Sequence, residues 1–81
     1  MTHALVTGGG TGVGKAIALA LAATGIDVTI CGRRHEPLDA VSASHDRIHA
    51  ITADVTDEAS MASLYAVAEA ARGPFDIVVA N

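Results

Sequence analysis

Residues 7–14 read Thr7-Gly8-Gly9-Gly10-Thr11-Gly12-Val13-Gly14, with five glycines in seven consecutive positions. Glycine has no Cβ, so a chain of this kind turns tightly and brings its N–H groups close to an anion. If a helix starts directly after it, the unpaired N–H groups of the first turn point at the same anion. The chemistry on offer is phosphate binding. A glycine-rich turn without a ligand is the plain alternative, and five glycines exceed what a turn requires.

Three other places carry polar groups at the ends of apolar runs. Gly32-Arg33-Arg34 follows Val28-Thr29-Ile30-Cys31, Asp54-Val55 follows Ile48 to Ala53, and Asn81 follows Ile77-Val78-Val79-Ala80. A guanidinium is a planar fork that grips phosphate or carboxylate, while an Arg pair in a loop is otherwise simply solvated. Asp54 either accepts from a ligand or caps the turn ahead of Asp57, and both roles hold together. His45 and His49 are four apart but straddle the start of a strand, and His3 and His35 stand alone, so no metal-ligand spacing is present. Tyr65 is followed four positions on by Glu69 rather than Lys, and it belongs to an apolar stripe. Lys15 reads as an exposed helix residue or a minor phosphate contact.

The elements that must position these groups alternate. His3–Thr7 is a short apolar strand ending at the glycines. Val13–Thr24 is an Ala-rich helix, apolar almost all round and so expected to be well buried, with Gly25 at its C-terminal end. Val28–Cys31 is a second strand. Glu36–Ser44 is a short helix with Pro37 in its first turn. Ile48–Ala53 is a third strand. A helix runs from Thr56 as N-cap, with Asp57 and Glu58 in its first turn, to Arg72. Met61, Leu64, Tyr65, Ala68 and Ala71 form its apolar stripe, and Gly73-Pro74 stops it. Phe75–Ala80 is a fourth strand. The order βαβαβαβ means an α/β fold with a parallel, Rossmann-type doubly wound sheet and right-handed crossovers. Runs of Val and Ile without polar alternation fit strands covered on both faces.

The ordinary Gly-x-Gly-x-x-Gly fingerprint is not in register here; Thr-Gly-x-x-x-Gly-x-Gly is. With Gly32-Arg33-Arg34, Asp54-Val55 and the terminal Asp76–Asn81 strand, this pattern resembles the short-chain dehydrogenase/reductase family from end to end of the chain. The resemblance implies a Rossmann domain that binds NAD or NADP. Gly8, Gly10, Thr11, Gly12, Val13 and Gly14 would line the diphosphate. Gly10 stands where many members carry Ser, and Thr11 next to it would supply the hydroxyl. Members that use NAD place an acid at the end of the second strand. Here Gly32 occupies that place and Arg33 and Arg34 follow, which implies NADP in preference to NAD. Asp54 would bond the adenine amine and Val55 would pack on the ring. Asn81 would be the Asn of the family's Asn-Ala-Gly motif, near the cofactor ribose, with Ala80 in place of an Asn often found before it.

The resemblance also implies hydride transfer between the nicotinamide and a small carbonyl or alcohol substrate. The Ser, Tyr and Lys that carry this chemistry would lie downstream, so no catalytic residue is assigned and the chain alone is expected to be inactive. Residues 1–81 are thus read as the N-terminal part of one NAD(P)-binding domain, truncated after its fourth strand, from a protein that forms homo-oligomers. Two alternatives compete. Gly9–Lys15 satisfies the P-loop pattern Gly-x-x-x-x-Gly-Lys, with Asp54 imitating a magnesium-anchoring acid. The next position, however, is Ala16 where a hydroxyl should bind the metal, and the Arg pair finds no role there. A non-catalytic dinucleotide-binding fragment is the other alternative.

Composition agrees. The 81 residues are 51% hydrophobic and 17% charged, with a net charge of -4. That suits one modest core and excludes intrinsic disorder. The acidic balance argues against nucleic acid and anionic membrane surfaces as partners. The uncharged, apolar stretch Ala16 to Ile26 is too short to span a bilayer. A single cysteine, Cys31, forms no internal disulfide and reads as a small buried hydrophobe. The expected compartment is the cytoplasm.

Overall fold

A computed structural model describes residues 2–81. Among them the order is β1 (His3–Thr7), α1 (Gly12–Ala23), β2 (Asp27–Gly32), α2 (His35–Ala43), β3 (Ile48–Thr52), α3 (Glu58–Arg72) and β4 (Ile77–Val79). The strands are all parallel and lie in the order β3-β2-β1-β4. In register, Thr7 stands beside Cys31 and Gly32 beside Thr52. A parallel sheet brings every strand's C-terminal end to one side, so the glycine loop, Arg33, Asp54 and Asn81 share it.

Alternating side chains divide the core by face. Val6, Val28, Ile30 and Ile48 point to α1 and α2, meeting Ala18, Ala22, Leu38 and Val41. Leu5, Cys31 and Ala53 point to α3, meeting Leu64, with Met61, Tyr65 and Phe75 at the margin. Each large apolar side chain fully buried in this way contributes about 1.5–3 kcal/mol.

Four local expectations are adjusted. Helix α1 is buried along one stripe only, Gly14, Ala18 and Ala22, while Ala16, Ala20 and Ala23 are exposed. Uniform apolar composition hid which face meets the sheet. Asp57, not Thr56, caps α3: its carboxylate accepts from Ala59 N–H at 3.0 Å. The Thr56 hydroxyl is instead spent on Asp54. Ala71, assigned to the α3 stripe, is exposed. Strand β4 is three residues long, shorter than the run Phe75–Ala80, and pairs on one side only, with Ala4, Leu5 and Val6. As an edge it leaves Val78 53% exposed, so two-sided cover holds for β1 and β2 but not for β3 and β4.

The N-terminal end of the sheet is closed by polar contacts. The buried His3 donates from Nδ1 to the Gly73 carbonyl at 2.9 Å, and its Nε2 lies 2.7 Å from the Thr29 hydroxyl. Its ring sits 4.4 Å from that of Phe75, and its backbone N–H donates to the Asp76 carboxylate at 2.9 Å. One residue of β1 thereby ties β2, the end of α3 and the approach to β4 together.

Candidate functional site

At the opposite end the glycine loop is hung from β2: Gly8 and Gly9 both donate to the Cys31 carbonyl, at 2.8 and 3.4 Å. Burial pushes the Cys31 thiol up, and it packs beneath the loop as a hydrophobe. Two of the loop's glycines show the two ways in which geometry demands the residue. Gly12 has φ of 57°, a left-handed conformation that favours glycine, and the place of its missing Cβ is open space. Gly14 is buried, and a Cβ there would drive into the Gly8 carbonyl and the Asn81 amide. The helix start therefore abuts the loop while its approach from solvent stays open at Gly12. Thr11 is the N-cap of α1, yet its hydroxyl makes no capping bond. That hydroxyl is therefore not committed to the helix end. At Gly10 a Cβ would lie 3.2 Å from both Pro37 Cβ and Leu38 N, so α2 has taken the room a Ser would use.

A cavity of about 180 Å³ opens here. It brings Gly8, Gly10 and Thr11 of the loop together with Arg33 and Arg34, and Gly32, Pro37 and Leu38 complete the wall. Asp54 and Val55 stand outside that lining. Asp54 is linked to it by Arg33, whose guanidinium is 3.5 Å from the carboxylate, Arg33 being largely exposed and Asp54 partly so. The Thr56 hydroxyl and N–H donate to the same Asp54 oxygen at 2.6 and 2.9 Å. Thr56, by its hydroxyl and then its N–H, and to a smaller degree Arg33, hold the Asp54 carboxyl below the usual range. Val55 is 52% exposed and Val13 68%. Asn81 lies on the other flank of the loop. Its backbone N–H donates to the Thr7 hydroxyl at 2.9 Å and its side-chain amide to the Gly8 carbonyl at 3.4 Å.

Reasoning from sequence missed Thr7, Pro37, Leu38 and Thr56. Thr7 was visible as the first residue of the glycine pattern, but its partner is 74 positions away. Pro37 and Leu38 belong to a helix whose approach to the loop is a tertiary fact. The two-residue offset from Asp54 was the available signal for Thr56.

The tempting residues elsewhere are engaged in other work. Tyr65 is half-buried, edge-on to Phe75 at 5.0 Å. His45 accepts from Arg47 N–H through Nδ1, and His49 accepts from the Arg72 guanidinium, 2.8 Å away. Among the described residues no helix is long and apolar enough to cross a membrane.

A parallel sheet with a glycine loop running into a helix, and cations at the end of the neighbouring strand, defines a dinucleotide-binding fold of the Rossmann class. The family model described as short chain dehydrogenase matches residues 2–81, and the chain belongs to that family. It is 45% identical to an uncharacterised oxidoreductase of Mycobacterium tuberculosis, covering 96% of this chain and 31% of that protein. It is 40% identical to the short-chain dehydrogenase/reductase VdtF of Byssochlamys spectabilis, covering 96% of this chain and 26% of that protein. Its fold superposes with a TM-score of 0.94 on a variant of actinorhodin polyketide ketoreductase, crystallised with NADPH. The two are 31% identical, over 99% of this chain and 32% of the other. The chain thus spans about a quarter to a third of the length of these proteins.

Proposed function

We propose that residues 1–81 are the N-terminal, cofactor-binding part of an NADP-preferring short-chain dehydrogenase/reductase. The observation that carries this reading is the shared cavity: Arg33 and Arg34 open onto the same space as Gly8, Gly10 and Thr11, with Gly32 where an acid would stand. Two guanidinium groups one turn from a phosphate cradle suit a ribose 2′-phosphate and disfavour none of the other contacts. The NADPH in the similar ketoreductase structure supports the same preference.

The residues divide the cofactor between them. Gly8, Gly10, Thr11, Gly12, Val13 and Gly14 hold the diphosphate, Arg33 and Arg34 the 2′-phosphate, and Asp54 the adenine amine. Val55 packs on the adenine ring, and Asn81 stands by the second ribose. When bound, the nicotinamide carries hydride to or from a small carbonyl or alcohol. The acid–base groups for that step belong to the remainder of a longer cytoplasmic, homo-oligomeric protein. Turnover by the isolated chain would overturn this division.

The direct test is Arg33→Ala in the full-length protein. NADPH binding should weaken by about 1.5–3 kcal/mol, the size of a hydrogen bond to a charged group, or roughly ten- to hundredfold. NADH binding should hardly move, and thermal stability should stay within about 1 kcal/mol because the Arg33–Asp54 pair is exposed. Equal weakening of both coenzymes would remove the 2′-phosphate assignment.

A further inference from the structure

We infer that Thr56 is a positioning residue for coenzyme selection: it fixes the Asp54 carboxylate so that one oxygen serves Arg33 and the other is presented to the adenine amine. The inference rests on the adenine role of Asp54 proposed above and adds the residue that makes that role possible.

The geometry gathers three donors on Oδ1 of Asp54: the Thr56 hydroxyl at 2.6 Å, the Thr56 N–H at 2.9 Å and the Arg33 guanidinium at 3.5 Å. Oδ2 has no hydrogen-bond partner among the described residues. The Asp54 backbone is held as well, its N–H donating to the Ser60 hydroxyl at 2.9 Å. Thr56 is exposed, and Asp57 does the capping of α3, so the Thr56 hydroxyl has no other structural task in this turn.

The arrangement matters because a carboxylate rotates easily about its last torsion. An Asp and an Arg left to themselves favour the bidentate pairing that uses both oxygens. That pairing would withdraw Oδ2 from the base and draw Arg33 away from the 2′-phosphate. Thr56 prevents it by occupying Oδ1 from two sides. Its bonds also favour the ionised acid, and only an ionised carboxylate is purely an acceptor for an N–H donor.

The test compares two coenzymes on the full-length protein: NADPH, and its hypoxanthine analogue, which carries a 6-oxo group in place of the amine. Thr56→Val removes the hydroxyl and keeps the size. It should cut the preference for NADPH over the analogue by about three- to tenfold, the span of one hydrogen bond. Thr56→Ser should retain the preference. In Thr56→Val the acid limb of that preference should also move to higher pH, since Asp54 loses the donor that most lowers its pKa. Asp54→Ala should abolish the preference. If Thr56→Val leaves the ratio unchanged, or weakens both coenzymes equally, while Asp54→Ala abolishes it, the positioning role is wrong and the adenine role stands. If Asp54→Ala leaves the ratio intact, the adenine role falls and the positioning role with it. Thr56→Ala makes the same comparison should the Val side chain disturb the turn.

Discussion

The two ends of the β-sheet are built from the same strands and do opposite things with their polar groups. At the N-terminal end His3, Thr29, the Gly73 carbonyl and Asp76 spend their hydrogen-bonding capacity on one another, with the Phe75 ring tilted against that of His3. At the C-terminal end Thr11, whose hydroxyl makes no capping bond, lines an open cavity with Arg33 and Arg34. Buried polar groups that satisfy each other hold a fold together and have nothing left for a ligand. Exposed donors converging on a concave surface contribute little stability and are available for binding. Strand β1 has both ends in one five-residue segment, His3 at the closed end and Thr7 at the open one.

The sharpest way to break this contrast is Gly14→Val. The open end is not loose throughout: its recognition surface rests on backbone packed against backbone at Gly14. A branched side chain there must push the Gly8 carbonyl and Asn81 away. The cost should be about 3 kcal/mol, seen in urea unfolding, and coenzyme binding should be lost with it. A variant that kept wild-type stability and NADPH affinity would show that the loop does not need its helix so close.

His3→Ala attacks the other end. It strands the Thr29 hydroxyl and the Gly73 carbonyl in the interior and removes the ring from Phe75. A loss of about 2–3 kcal/mol is expected from the unpaired groups, read as a fall in Tm. NADPH affinity of the folded protein should be unchanged, because no part of the network reaches the cavity. A matching loss of affinity would mean that the two ends are coupled through β1.

The ends also differed in how far they could be read from sequence. The glycine loop and the Arg pair are local: their residue types, sitting next to strand ends, were enough to place them in one site. The strand order β3-β2-β1-β4 is the one that belongs to the Rossmann-type doubly wound class read from the alternating elements. The clasp from Thr7 to Asn81 joins residues at the extremes of the chain, and the His3 network joins β1 to the end of α3. Neither leaves a pattern in a neighbourhood of ten residues. Helix caps fell between these cases. Thr56 and Asp57 are both good caps by type, and only the demand of Asp54 for a donor decided which one was used.

The smallest expected effect concerns pH, and it separates the ends by titration range. His49, on β3, packs by the closed end. Burial lowers its pKa first, then the Arg72 cation on α3, with a smaller push from His3 on β1, while Asp27 on β2 pulls the other way. Asp27 also carries Arg47, 3.6 Å away, so its charge is shared. With the folded pKa below the ordinary value of about 6.5, the unfolded chain takes up this proton first as pH falls. The stability His49 contributes is therefore complete above the ordinary value and is lost as pH drops through the folded one. Asp54, also depressed, is lost only in the lower carboxylate range, and its loss should register in coenzyme binding. His49→Gln keeps an acceptor for Arg72 and removes the titration, so it should flatten the slope of Tm across about pH 5 to 8 while leaving the acid limb of NADPH binding in place. If the slope persists undiminished, the acid sensitivity of the closed end comes from another group. If the binding limb moves as well, the two ends are not electrostatically separate.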